Sequence, residues 1–151
     1  MGEFVRPYRD TASFGRRQEY IAAAELLRRG FDVYMTLVDD QGIDCVIRLD
    51  GNRYIDLQIK ARSKSAQQGS FFAAMKITAR KNLWYMFFAE TLGHYWLLPS
   101  TDVVALGHQN KNGKHAGKVH LTLPRRESGV VWERFSKYCD DAGFELLRCA
   151  R

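Results

Sequence analysis

At 151 residues the chain is long enough for one domain with a real core, and its 46% hydrophobic and 26% charged content places it with soluble globular proteins. No apolar run reaches the roughly 18 residues a membrane span requires, and residues 1–11 lack the apolar stretch of a signal peptide, so a cytoplasmic protein is expected. Lys and Arg number 23 against 17 Asp and Glu, and the net charge of +6 favours polyanionic partners without establishing one.

The first predicted element is a helix over residues 15–29. Tyr20, Ala23, Ala24 and Leu27 recur at the i, i+3, i+4, i+7 spacing of a buried face, and Gly30 can supply a left-handed cap. A strand follows at 31–37, where Phe31, Val33, Met35 and Leu37 alternate with Asp32, Tyr34 and Thr36. Asp39-Asp40-Gln41-Gly42 is turn chemistry. Residues 43–49 and 53–61 are expected to pair as a hairpin around Asp50-Gly51-Asn52. Beyond a polar loop at 63–70, strands are expected at 71–79, 83–90 and 94–98, then a short helix at 101–106 opened by Ser100. The Gly-rich stretch 107–118 is read as a second flexible loop. A strand at 118–123, a helix at 130–142 and a terminal strand at 144–149 complete the chain. The order α-β-β-β-β-β-β-α describes an α/β protein of the α+β kind, with a mixed sheet flanked by helices in a single domain over 1–151.

Cys45, Cys139 and Cys149 are odd in number and lack metal-ligand spacing, so they are read as free thiols in a reducing compartment. His115 and His120 complete no zinc set.

Glu19 breaks the pattern of its helix. It stands four residues before Ala23 and seven before Leu26, so at about 100° per residue it falls within the apolar arc, away from Gln18, Glu25 and Arg29 on the solvent side. A carboxylate there is costly unless positive charge meets it, and an ion pair with Arg16 accounts for it equally well. In the hairpin, Ile43, Cys45, Ile47 and Leu49 must face the same core as Arg53, Ile55, Leu57 and Ile59. A three-residue loop placing Leu49 opposite Arg53 satisfies this and sets Asp44 opposite Gln58, with Lys60 on the diagonal. The opposed Cβ atoms are then about 5.5 Å apart and the diagonal pair roughly 8 Å. This polar cluster is either a solvated sheet face or a convergence of carboxylate, amide oxygen and ammonium beside the helix of Glu19.

The run Gly15-x-x-x-Glu19, Leu27-x-x-Gly30-Phe31-x-Val33, Gly42-Ile43-Asp44 and Gln58-Ile59-Lys60 resembles the core of the PD-(D/E)XK nucleases. The resemblance spans residues 15–62, leaving 1–12 as an N-terminal extension. It is most similar to the branch holding archaeal Holliday junction resolvases and a group I intron homing endonuclease. It implies a restriction-endonuclease-like fold and a DNA endonuclease dependent on Mg²⁺ or Mn²⁺. By the same resemblance Asp44 is the central metal ligand, the Gln58 amide oxygen a second and the Ile59 backbone carbonyl a third. Glu19 holds the metal directly or through water. Lys60 orients the attacking water and offsets charge building on the phosphate. Two departures stand out: Ile43 replaces the family's Pro, and Gln58 its second acid, so one negative ligand is missing. Asp56 shares the polar face as a lesser candidate. Such oxygen ligands suit Mg²⁺, which activates a nucleophile and stabilises phosphoryl charge.

Arg16, Arg62, Lys64 and Lys76 near this centre, and Lys111, Lys114 and Lys118 on the Gly-rich loop, are the candidate DNA contacts. That loop reads equally well as a solvated segment. Trp84, Tyr85, Phe87, Phe88, Tyr95 and Trp96 are expected to be mostly core; if any protrudes to stack on a base, it is Tyr85 or Trp96. Cutting two strands implies two centres, hence a homodimer or homotetramer. The rival reading, favoured by Gln58, is a catalytically inactive DNA-binding or assembly module retaining the nuclease fold. A third is a likeness confined to the core, with incidental basic charge.

Overall fold

The computed structural model describes residues 11–38 and 41–151, so most of the N-terminal extension and the Asp39-Asp40 part of the expected turn lie outside the described residues. Helix α1 (Thr11–Arg28) ends in a Schellman closure. Gly30, at φ 83°, donates its N–H to Leu27 O, and the Phe31 N–H reaches Leu26 O. Its buried face differs from the expected one. Tyr20, Ala24 and Leu27 are exposed, while Phe14, Gln18, Ala22, Ala23 and Leu26 are buried. Residues 22–24 are all alanine and carry no phase information, and the large side chains Phe14 and Leu26 set the inward direction. Gln18 and Glu25, expected in solvent, therefore turn toward the protein.

The main sheet has the order β1-β2-β3-β5-β6. Its strands are β1 (Asp32–Met35), β2 (Cys45–Asp50), β3 (Arg53–Arg62), β5 (Leu83–Ala89) and β6 (His94–Pro99). Only β3 and β5 run parallel, and the connection between them carries β4 (Phe71–Met75), which is shorter than the expected 71–79. A second sheet pairs β4 with β8 (Val119–Thr122) and β8 with β7 (His108–Gln109), after the short helix α2 (Ser100–Leu106). The 107–118 stretch is thus a hairpin closed by backbone bonds from Asn110 N–H to Lys118 O and from Gly117 N–H to Asn110 O.

The β2–β3 register matches expectation, with Cys45 opposite Leu57 and Ile47 opposite Ile55, but the turn does not. Asp50, not Leu49, faces Arg53 across a two-residue Gly51-Asn52 turn, and Leu49 bulges. The bulge adds one residue to β2 and restores the phase that keeps the apolar face inward.

At the C-terminus the expected long helix and final strand are replaced by two short helices. Helix α3 (Gly129–Phe135) runs into a 3-10 turn (Ser136–Tyr138), the chain reverses at Asp140 with φ 44°, and α4 (Asp140–Arg148) fills the segment read as a strand. Phe144 and Leu146 alternate as a strand would, yet it is Leu147, at helical spacing from Phe144, that is buried.

The core lies on both faces of the main sheet. Tyr85, Phe87, Trp96 and Leu98 pack with Phe72, Leu121 and Phe135 on one side. Trp84, Met86 and Leu97 pack with Leu26, Phe31, Ile47, Leu57 and Phe144 on the other. Tyr85 and Trp96 are buried with the core, and neither protrudes, because β5 and β6 are covered on both faces. No helix among the described residues is long and apolar enough to cross a membrane.

Candidate metal and phosphate centre

The start of β2 is shorter than its partner, and Asp44 occupies the step just before it. Its N–H donates to Leu57 O at 2.9 Å, and its carboxylate Oδ2 accepts the Ile59 N–H at 2.6 Å. The carboxylate thus takes the position in the ladder that a longer β2 would have filled with a carbonyl. Asp44 is only 5% exposed, so this bond fixes a buried acid. Elsewhere on β3, Asp56 N–H bonds to Asn82 O and Arg62 O accepts the Glu90 N–H. Even-numbered residues therefore direct their backbone to β5, and odd-numbered ones to β2. Ile59 consequently turns its carbonyl to the same edge as its N–H, past the end of β2 and beside Asp44.

The backbone before Asp44 is pinned as well. Thr36 donates its hydroxyl to Ile43 O at 2.8 Å and its N–H to Asp44 O at 3.2 Å. Gly42, at φ 68°, lies so close to Gln58 that a Cβ there would stand 3.0 Å from the amide Nε2. A glycine is required both by the backbone and by the side chain that approaches it. Gln58 and Lys60 then line a cleft of about 350 Å³ with Arg62, Phe72, Met75 and Lys76. Among the described residues Lys60 forms no ion pair. Arg62 donates from Nη2 to Gln67 O at 2.9 Å, while its buried Nε has no partner among the described residues.

Glu19 approaches from α1. It accepts from Arg16 at 2.7 Å, so the simple ion pair is formed, and its side chain is 17% exposed. The Cys45 thiol, pushed up to about 12 by burial first and then by the Asp44 and Glu19 carboxylates, lies within reach of both charges. The Arg16 guanidinium is likewise raised, chiefly by Glu19 and more weakly by Asp44. Asp44, Gln58, Ile59 and Lys60 thus share one end of the β2–β3 pair, and α1, which carries Glu19, packs against β3.

Other candidates separate from this group. Asp56 is held by Arg80 at 2.6 Å and serves a structural pair. Lys76 lines the cleft, whereas Lys64 is exposed on the loop that follows β3, its backbone N–H on Glu90. Lys111, Lys114 and Lys118 sit on the β7–β8 hairpin and do not line the cleft. The contributions of Gly42, Thr36 and the apolar wall of Phe72 and Met75 were missed in the sequence. Only the Gly-Ile-Asp spacing hinted at the first. The ligand atoms on offer are carboxylate, amide and carbonyl oxygens, a hard set that fits Mg²⁺ or Mn²⁺.

Neither a scan against protein-family models nor a search of curated proteins finds a match. Among solved structures, the bacterial homing endonuclease I-Ssp6803I is similar with a TM-score of 0.61 at 16% identity, over 92% of this chain and 91% of that one. At that identity the likeness shows the fold, a nuclease-like mixed sheet flanked by helices.

Proposed function

We propose that the chain is a metal-dependent DNA endonuclease of the PD-(D/E)XK type. The observation that carries this reading is the buried Asp44 carboxylate, fixed by the Ile59 N–H on the strand whose Gln58 and Lys60 line a basic cleft. Similarity to a homing endonuclease over nearly the whole chain supports it.

Asp44, the Gln58 amide oxygen, the Ile59 carbonyl and Glu19 would hold Mg²⁺ or Mn²⁺. The bound cation supplies Lewis acidity toward a phosphoryl oxygen and acidifies a water. The protein's own part is preorganisation. The Ile59 N–H locks the Asp44 rotamer, and Gly42 leaves space for the Gln58 amide. The Lys60 ammonium orients the attacking water and meets charge as it develops on the phosphate, while Arg62 and Lys76 bind flanking phosphates. With Gln58 neutral, Glu19 and Asp44 together balance a dication. Cutting both strands requires two such centres, so a homodimer or homotetramer is part of the proposal.

A silent DNA-binding module is the second reading, favoured by Gln58 and by the engagement of Glu19 with Arg16. The test is incubation with supercoiled, linear and four-way-junction DNA in Mg²⁺ or Mn²⁺. Cleavage by the native chain, reduced about 10²–10³-fold in Lys60→Ala with DNA binding retained, is expected. Cleavage undiminished in Lys60→Ala removes the assigned centre, and gel-shift without cutting in either metal supports the silent module.

A further inference from the structure

A second group of metal-binding side chains lies outside the cleft. His94 opens β6, and Cys139 and Asp140 form the corner between the 3-10 turn and α4. A β-bridge from Trp96 to Cys139 lays this corner along β6. One nitrogen, one sulfur and one oxygen atom of His94, Cys139 and Asp140 consequently lie within 4.8 Å of one another. The arrangement is directional. Asp140 Oδ1 accepts the Tyr95 N–H at 2.8 Å, which leaves Oδ2 facing His94 Nδ1 at 2.6 Å. On the far side of the ring, Nε2 stands 3.0 Å from Glu127 Oε1. Cys139 is 8% exposed, while His94, at 31%, opens with Glu127 and Asp140 onto a groove of about 510 Å³.

We propose that His94 Nδ1, Cys139 Sγ and Asp140 Oδ2 form a three-ligand site for a borderline-soft divalent transition metal, Zn²⁺ by donor class. Imidazole, thiolate and carboxylate are the ligands such an ion takes in tetrahedral geometry, and a hard Mg²⁺ would not choose sulfur. With bonds of about 2.0–2.3 Å, a tetrahedral ion holds its ligand atoms roughly 3.3–3.8 Å apart. The imidazole–carboxylate pair needs to open by about 1 Å, and the widest separation needs to close by a similar amount, both within side-chain reach. Glu127 accepts the Nε2–H and fixes the tautomer that presents Nδ1 to the metal. As the ion binds, two protons leave to solvent: the one held between His94 Nδ1 and Asp140 Oδ2, and the Cys139 thiol proton as the sulfur–metal bond forms. The fourth position faces the groove and takes water. The site stands independently of the endonuclease reading.

Cobalt(II) reports directly on such a site. The purified full-length chain, stripped of metal, is titrated with Co²⁺ and followed by absorbance. One equivalent is expected to give the intense visible bands of a tetrahedral centre and a near-ultraviolet thiolate-to-cobalt charge-transfer band, both erased by Zn²⁺. The charge-transfer band should vanish in Cys139→Ser and persist in Cys149→Ser and Asp44→Asn. Glu127→Gln should retain the band with affinity about 10–100-fold weaker. No charge-transfer band in the native chain overturns the site and leaves His94, Glu127 and Asp140 as a hydrogen-bonded clasp. Survival of the band in Cys139→Ser, or its loss in Cys149→Ser or Asp44→Asn, overturns it as well. Should Cys139→Ser fail to fold, the native spectrum and a weakened Co²⁺ affinity in His94→Gln decide the matter.

Discussion

In the proposed centre Gln58 would offer an amide where a second acid would bind a cation more strongly, so its usefulness there depends on how firmly it is aimed. Gly42 does the aiming by what it lacks. Alanine at this position meets two penalties: a left-handed backbone at φ 68°, and a Cβ 3.0 Å from the amide nitrogen. The expected outcome for Gly42→Ala is a loss of about 1–2 kcal/mol, seen as a fall of roughly 2–8 °C in Tm, together with a higher Mg²⁺ requirement for cleavage. Calorimetry and a metal titration of the cleavage rate check it, and a variant native in both would detach Gly42 from the centre. The register that puts Cys45 opposite Leu57 was legible in the sequence because strand side chains alternate strictly. The fit of Gly42 against Gln58 was not, since a close approach leaves no periodic trace.

Among the secondary elements, legibility followed how much phase information the residues carried. The β2–β3 register emerged from two well-patterned strands even though the turn was misassigned, since a bulge at Leu49 satisfied the same constraint as a longer loop. In α1, alanines at 22–24 and the long side chains of Gln18 and Glu25 blurred the inward direction, and α4 was hidden by the strand-like spacing of Phe144 and Leu146. Glu25 shows what the rotated α1 face accomplishes. Its carboxylate is held at about 2, first by the Arg28 hydrogen bond and also by Arg29, against the opposing effect of burial. Arg29 in turn reaches Asp141 on α4 at 2.7 Å, joining the two helices. A lowered carboxylate contributes stability above its unfolded value near 4.5 and loses it as pH falls toward about 2. Because Arg28 is largely exposed, solvent screening reduces the contribution to about 1–2 kcal/mol. Urea unfolding of the native chain and Glu25→Gln should differ by that amount at pH 6 and converge as pH drops toward 2.5. An equal difference at both pH values would refute this origin.

For the molecule as a whole, the net charge of +6 matters only through where it is placed. Lys60, Arg62 and Lys76 are gathered at one cleft by β3 and the segment around β4, while Lys111 and Lys114 project from a hairpin stiffened by its own backbone bonds. A stiff hairpin with exposed cations forfeits less conformational freedom on meeting a phosphate backbone than a loose loop would. Each phosphate neutralised releases condensed counterions, so the slope of log K against log salt counts contacts at about 0.9 each on duplex DNA. Lys76→Ala should therefore flatten the slope by about 1, and Lys111→Ala with Lys114→Ala by about 2, with weakened binding across all sequences. Fluorescence anisotropy on a short duplex over a salt series measures both slopes. A native slope in the Lys76 variant would disconnect the cleft from DNA. A native slope in the double variant would leave the cleft intact and take the hairpin out of the footprint, because counterion release registers only cations that touch the backbone.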